Sequence, residues 1–163
     1  MQLHDGIVAA ATAGWPPDRQ TIAQLVGGSF DLPVIASAVL GQRAASATPA
    51  QRERLARAVG NLLVHELMHR RPAPGDRFAV VETRATLPGE WLVITSLTPM
   101  GEATINLTWR VRGESDRPRI VDTLRDGVSA VITEKQDIAS ALRNSTLDAV
   151  IAELERRVAT GGS

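Results

Sequence analysis

The chain has 163 residues and carries 18 acidic and 18 basic side chains, so it is electrically balanced. A nucleic-acid partner calls for a clustered basic surface to neutralise phosphates, and the balance sets that class aside. Cysteine is absent, which excludes disulfides, thiolate zinc sites and a cysteine nucleophile.

Hydrophobic residues make up 44% of the chain, enough for a real core, and the length suits one domain over residues 1–160. The aromatic residues are Trp15, Trp91, Trp109, Phe30 and Phe78, with no tyrosine, so a stacking platform for bases or sugars is not expected. A large apolar surface here must be aliphatic. No apolar run is long enough for a membrane span. Met1-Gln2-Leu3-His4 shows no basic stretch leading into an apolar one, and reads as a trimmed start from which an export leader has been removed. Gly161-Gly162-Ser163 reads as a loose end.

The first half reads as helical. A weak helix over Leu3 to Ala13 ends at Gly14-Trp15-Pro16-Pro17. A second starts near Asp18, places Ile22, Leu25 and Val26 on one face, and stops at Gly27-Gly28. Asp31-Leu32-Pro33 opens a third, with Pro33 suited to a first turn, Val34, Ile35, Ala38 and Val39 at helical spacing, and Gly41 closing it. Thr48-Pro49-Ala50-Gln51 has the form of a capping box, and the helix it starts is expected to run to about Arg71. Its stripe is Leu55, Val59, Leu62, Leu63 and Leu67.

The period then changes from 3.6 to 2. Phe78 to Leu87 and Trp91 to Thr98 read as strands joined by Pro88-Gly89. In Ala103 to Arg112, Ile105, Leu107, Trp109 and Val111 alternate with polar residues, so one face is dry. A fourth strand is expected over Pro118 to Leu124. The ending is helical again: Val128, Val131 and Ile132 lead into Ile138 and Leu142, and a second capping box at Ser145-Thr146-Leu147-Asp148 starts a helix with Leu147, Val150, Ile151 and Leu154 inward. The count predicts an α+β fold, a four-stranded antiparallel sheet covered on one face by helices from both chain ends.

Two readings of function compete. His65-Glu66-Leu67-Met68-His69 fits H-E-x-x-H, in which two histidines one turn apart bind zinc and the glutamate acts as base on the metal-bound water. That chemistry defines a zinc metallohydrolase. It needs a third ligand, for which His4, Asp76, Glu82 and Glu134 are candidates with nothing to single one out. The other account makes His65, Glu66 and His69 the polar edge of an ordinary amphipathic helix.

Phe30-Asp31-Leu32-Pro33, Val39-Leu40-Gly41 and Thr48-Pro49-Ala50-Gln51-Arg52 together resemble the toluene-tolerance or MlaC-type family. Phe78-Ala79-Val80, Val111-Arg112, Ile120-Val121-Asp122, Asp126-Gly127-Val128-Ser129 and Leu147-Asp148-Ala149-Val150-Ile151 continue the resemblance in order. The Phe-Asp-Leu-Pro form and Leu3-His4-Asp5-Gly6-Ile7-Val8 look most like its hopanoid-associated branch. The chain lacks the family's aromatic near Pro118 and its Tyr-Arg pair near Glu134 and Lys135.

The resemblance implies a periplasmic, non-enzymatic carrier that shuttles phospholipid or a hopanoid-type lipid between inner and outer membranes. Its partners would be an inner-membrane ABC transporter complex and an outer-membrane lipid complex, with the protein a monomer that needs no cofactor. No G-x-x-x-x-G-K-[ST] loop occurs, so energy would come from those partners. An apolar cavity between sheet and helices would hold the acyl chains, walled by Val59, Leu63 and Leu67 on one side and Ile105, Leu107, Trp109 and Val111 on the other. Arg110, Arg112 and Arg125 are the candidates for the headgroup.

Overall fold

The computed structural model describes residues 17–69, 75–113 and 117–157, the backbone of 158–160, and Asp5, Gly6 and Ala9 near the start. The helix expected over Leu3 to Ala13 lies outside the described residues except for these three, which are helical.

Asp18 caps α1 (Arg19–Ser29) by accepting from the Thr21 N–H at 2.9 Å. The glycine pair Gly27-Gly28 does not stop this helix, which runs on through Ser29. Asp31 caps α2 (Leu32–Leu40) in the same way, accepting from Val34, with Pro33 in the first turn. The same short link is stitched to the sheet, because the Asp31 N–H donates to the Ile120 carbonyl at 2.9 Å and Phe30 bridges to Ile120. Phe-Asp-Leu-Pro thus combines a buried anchor, a helix cap and a strand contact in four residues.

A 3-10 turn over Gly41–Ala45 leads to α3 (Pro49–His69). The expected capping box is present: the Gln51 N–H donates to Thr48 Oγ1 at 3.2 Å, and Gln51 Oε1 accepts from the Thr48 N–H at 3.0 Å. Thr48→Ala removes the acceptor of the Gln51 N–H and is expected to cost about 1 kcal/mol in chemical denaturation, with Thr48→Ser close to wild type. The helix is followed to His69, so the expected end at Arg71 lies outside the described residues.

Five antiparallel strands follow in simple succession: β1 (Arg77–Leu87), β2 (Glu90–Thr98), β3 (Ile105–Arg112), β4 (Arg119–Arg125) and β5 (Val128–Ser129). The expected four is corrected to five by a two-residue loop. Asp126 (φ 52°) and Gly127 (φ 80°) both take positive φ, and Arg125 pairs with Val128 across them. That is the tight hairpin geometry that an Asp-Gly pair favours.

Ser129 then caps α4 (Ala130–Ala141), and α5 (Leu147–Thr160) closes the chain. The second capping box, expected from Ser145 to Asp148, is corrected: the cap falls one residue later, at Thr146. Thr146 Oγ1 accepts from the Ala149 N–H at 3.3 Å, whereas Asp148 turns away to bond Gln51 and Arg54 on α3. Arg54 also reaches Glu155 at 2.9 Å, so the start of α3 is tied to α5.

The tightest packing lies among the helices. Ile22, Val26, Leu55, Val39 and Ile151 are essentially free of solvent contact, and the cluster around them is built from α1 to α5 and their links. From the sheet, only Trp109 and Ile120 pack against it among the described residues. The expectation of helices laid over a whole sheet face is therefore met over the β3–β4 side alone.

Candidate functional site

Strand register decides which side chains share a face. Trp91 stands opposite Val111, Val93 opposite Trp109, Thr95 opposite Leu107 and Leu97 opposite Ile105. On β1, Phe78 faces Leu97 and Val80 faces Thr95. The result is an apolar strip across three strands, as the alternation in β3 predicts. Its one buried polar group is dealt with internally. Thr95 is 3% exposed, its hydroxyl donates to the Leu107 carbonyl at 3.2 Å, and it accepts from Trp109 Nε1 at 2.9 Å. A strip whose polar atoms are already partnered offers an apolar surface to whatever lies on it.

The structure divides the seven predicted wall residues into two groups. Val59, Leu63, Leu67 and Trp109 belong to one continuous apolar cluster, with Val59 buried in it and the other three half-buried at its margin. Ile105, Leu107 and Val111 share the Trp109 face but stand outside that cluster, and each is half-buried. The strip thus runs from the margin of the packed core out along the sheet without being sealed.

Of the three arginines, only Arg125 lies on the strip's face, opposite Leu107. Arg110 and Arg112 project from the other face, where Arg110 Nε donates to Glu90 at 2.9 Å and Arg112 Nε lies 3.9 Å from the same carboxylate. Alternation along β3 turns them away from Leu107 and Trp109. Glu90, only 6% exposed, is a residue that the sequence reading did not single out. The signal was its position opposite Arg112, visible only once the register is known.

The histidine pair lies as the helix spacing requires. The rings of His65 and His69 are 4.1 Å apart between centroids, and His69 Nδ1 is 2.7 Å from the His65 carbonyl oxygen. No third ligand joins them: among the described residues no group of three or more His, Asp or Glu is placed to hold a metal ion. Of the candidates, Asp76 accepts from the Met100 N–H, Glu82 pairs with Arg84, and Glu134 lies on α4, while His4 is outside the described residues. The pair forms part of the polar edge of α3.

Two hollows of about 290 Å³ each lie away from the strip. One is bounded by Gly27, Phe30, Pro33 and Arg119, whose Nη1 donates to the Gly27 carbonyl at 2.6 Å. The other runs between α4 and α5 past Glu134, Asp137, Ser145 and Glu153. Burial raises the Glu134 carboxyl above its ordinary value, Arg157 pulls it back, and Asp137 adds to the rise. Its Oε1 is buried without a hydrogen-bond partner. A carboxyl raised by folding binds its proton more tightly in the folded state, so the charged form costs stability as pH climbs through the folded value. Glu134→Gln is therefore expected to raise the thermal midpoint at pH 7, with the gain shrinking toward pH 4.

The helical cluster joined to one side of a five-stranded antiparallel sheet, with an unsealed apolar strip beside the join, defines the class of protein. Its fold is that of a phospholipid-binding protein from Ralstonia solanacearum solved in complex with a phospholipid. The two share a TM-score of 0.80 at 19% identity, over 99% of this chain and 95% of that one. The model of the MlaC protein family matches residues 16–156. The chain belongs to the MlaC family. No curated protein matches it.

Proposed function

We propose that the protein is a non-enzymatic, periplasmic lipid carrier, one domain over residues 1–160 acting as a monomer. It takes up a phospholipid or hopanoid-type lipid as the soluble component of an ABC-type transport system that links inner and outer membranes. The observation that carries the reading is the half-buried strip Ile105, Leu107 and Val111, continuous with Trp109 at the core margin. Family membership and the phospholipid in the Ralstonia solanacearum structure support it. The Phe-Asp-Leu-Pro form favours the hopanoid-associated branch of the family.

In this reading an acyl chain lies in an apolar cavity between the strip and the Leu63–Leu67 side of α3, with Val59 behind it in the packed core. Each methylene removed from water gains ~0.8 kcal/mol, so an unsealed aliphatic wall is itself the driving force. Arg125 shares the strip's face opposite Leu107, and its guanidinium supports an anionic headgroup at that end.

Organic extraction of the purified protein followed by mass spectrometry tests the proposal. A phospholipid or hopanoid recovered in near-stoichiometric amount is the expected result. A lipid-free extract, with no binding when those lipids are supplied, removes it.

A further inference from the structure

His65 and His69 sit one turn apart on α3, His65 half-buried and His69 exposed to water. The lipid wall draws on Leu63 and Leu67 of this helix and gives neither imidazole a role. Hydrogen bonding fixes the tautomer of the second ring. A carbonyl oxygen can only accept, so the 2.7 Å contact between His69 Nδ1 and the His65 carbonyl places the ring proton on Nδ1. In the neutral ring Nε2 then carries a lone pair, and the same bond holds the ring in orientation. A ring N–H donated to a backbone carbonyl is the arrangement that orients histidine ligands in metal sites.

The two rings are also at chelating distance. When two imidazoles hold one ion through nitrogens about 2 Å away, and the bonds meet near a right angle, the ring centroids lie roughly 4 to 5 Å apart. Here they are 4.1 Å apart and tilted by 51°. A right angle separates neighbouring ligands in a tetragonal site, which copper(II) and nickel(II) favour, and of the two copper(II) binds nitrogen more tightly. Met68, a softer donor in the same segment, packs against the helical cluster and lies 3.9 Å from Arg19 Nη1, which keeps it out of the donor set. Glu66, exposed and three residues before His69, adds negative charge beside the pair.

We propose that His65 and His69 form a two-imidazole chelate for copper(II), with water in the remaining positions. A hydrolytic zinc site needs three protein ligands, whereas this chelate needs two. It is separate from the lipid wall and independent of the carrier reading.

The test uses the His4→Ala background with the α-amino group acetylated, so that the pair supplies the only histidines in the chain. Copper(II) is titrated by calorimetry, and the complex is read by electron paramagnetic resonance. One copper per chain, with two imidazole nitrogens in its plane, is the expected result. His69→Ala and His65→Gln should each bind copper about tenfold more weakly or worse while keeping the melting temperature. His69→Ala combined with Glu66→His keeps the number of histidines but sets them at adjacent positions, which do not face each other, so the affinity should stay low. Equal affinity in the pair and in either single variant, or in the misplaced pair, overturns the chelate. So does a spectrum with a single imidazole nitrogen.

Discussion

Asp122→Ala is expected to cost the protein about 3 kcal/mol in chemical denaturation, a large share of the stability of an ordinary domain. Asp122 is buried in the middle of β4, and its carboxylate accepts from the Thr123 N–H at 2.8 Å, the Val131 N–H at 3.1 Å and the Ser129 hydroxyl at 2.6 Å. Ser129 in turn caps α4 through the Ile132 N–H at 3.0 Å. One side chain thereby ties the middle of β4 to Ser129, just after the Asp126-Gly127 hairpin, and to the first turn of α4. Alanine leaves buried donors without acceptors, which costs more than the bonds themselves contribute. Asp122→Asn keeps one carbonyl oxygen and is expected to fall between alanine and wild type. An alanine variant with an unchanged midpoint would show that the network does not hold sheet and helix together.

Leu107→Glu is expected to reduce lipid occupancy about tenfold or more while the protein still folds. Leu107 is half-buried and lies outside the packed cluster, so the fold does not depend on it as it does on Leu55 or Ile151. A carboxylate placed against an acyl chain must be desolvated or protonated, and either is unfavourable. Asn106→Glu adds the same charge one residue away on the opposite face and should leave occupancy unchanged. Lipid content by extraction, with the melting curve as the folding check, reads both variants. Equal loss in the two would mean that charge, and not the strip, controls binding.

Much of this architecture can be read from local chemistry. The caps at Asp18, Asp31 and Thr48 and the dry face of β3 follow from side chains within a few residues of one another, and the structure has them. The fifth strand was equally local, since Asp126-Gly127 is a strong hairpin signal. A two-residue strand is simply too short to show a period. Other features depend on distant pairing. Asp148 looks like a capping residue until α3 brings Gln51 and Arg54 beside it. Burial follows the same rule: periodicity marks Ile105 and Trp109 alike as inward, yet only Trp109 meets the helical cluster. Of the candidate site, the residues on the strip were legible, whereas the failure of the helices to seal it was not.

The His65–His69 motif illustrates the limit of a short pattern. Helical spacing brings the two rings together, but a zinc site also needs a third ligand from elsewhere in the fold. The local half of the motif is present in α3, and the described residues supply no third partner.

The most direct test of the carrier account is a phospholipid with a photoreactive group at the end of its acyl chain, loaded into the protein, irradiated and mapped by peptide mass spectrometry. Labels on the peptides that contain Leu63 to Leu67 and Ile105 to Val111 are the predicted result. Labels confined to the α4–α5 hollow, or spread over the surface without preference, would contradict it.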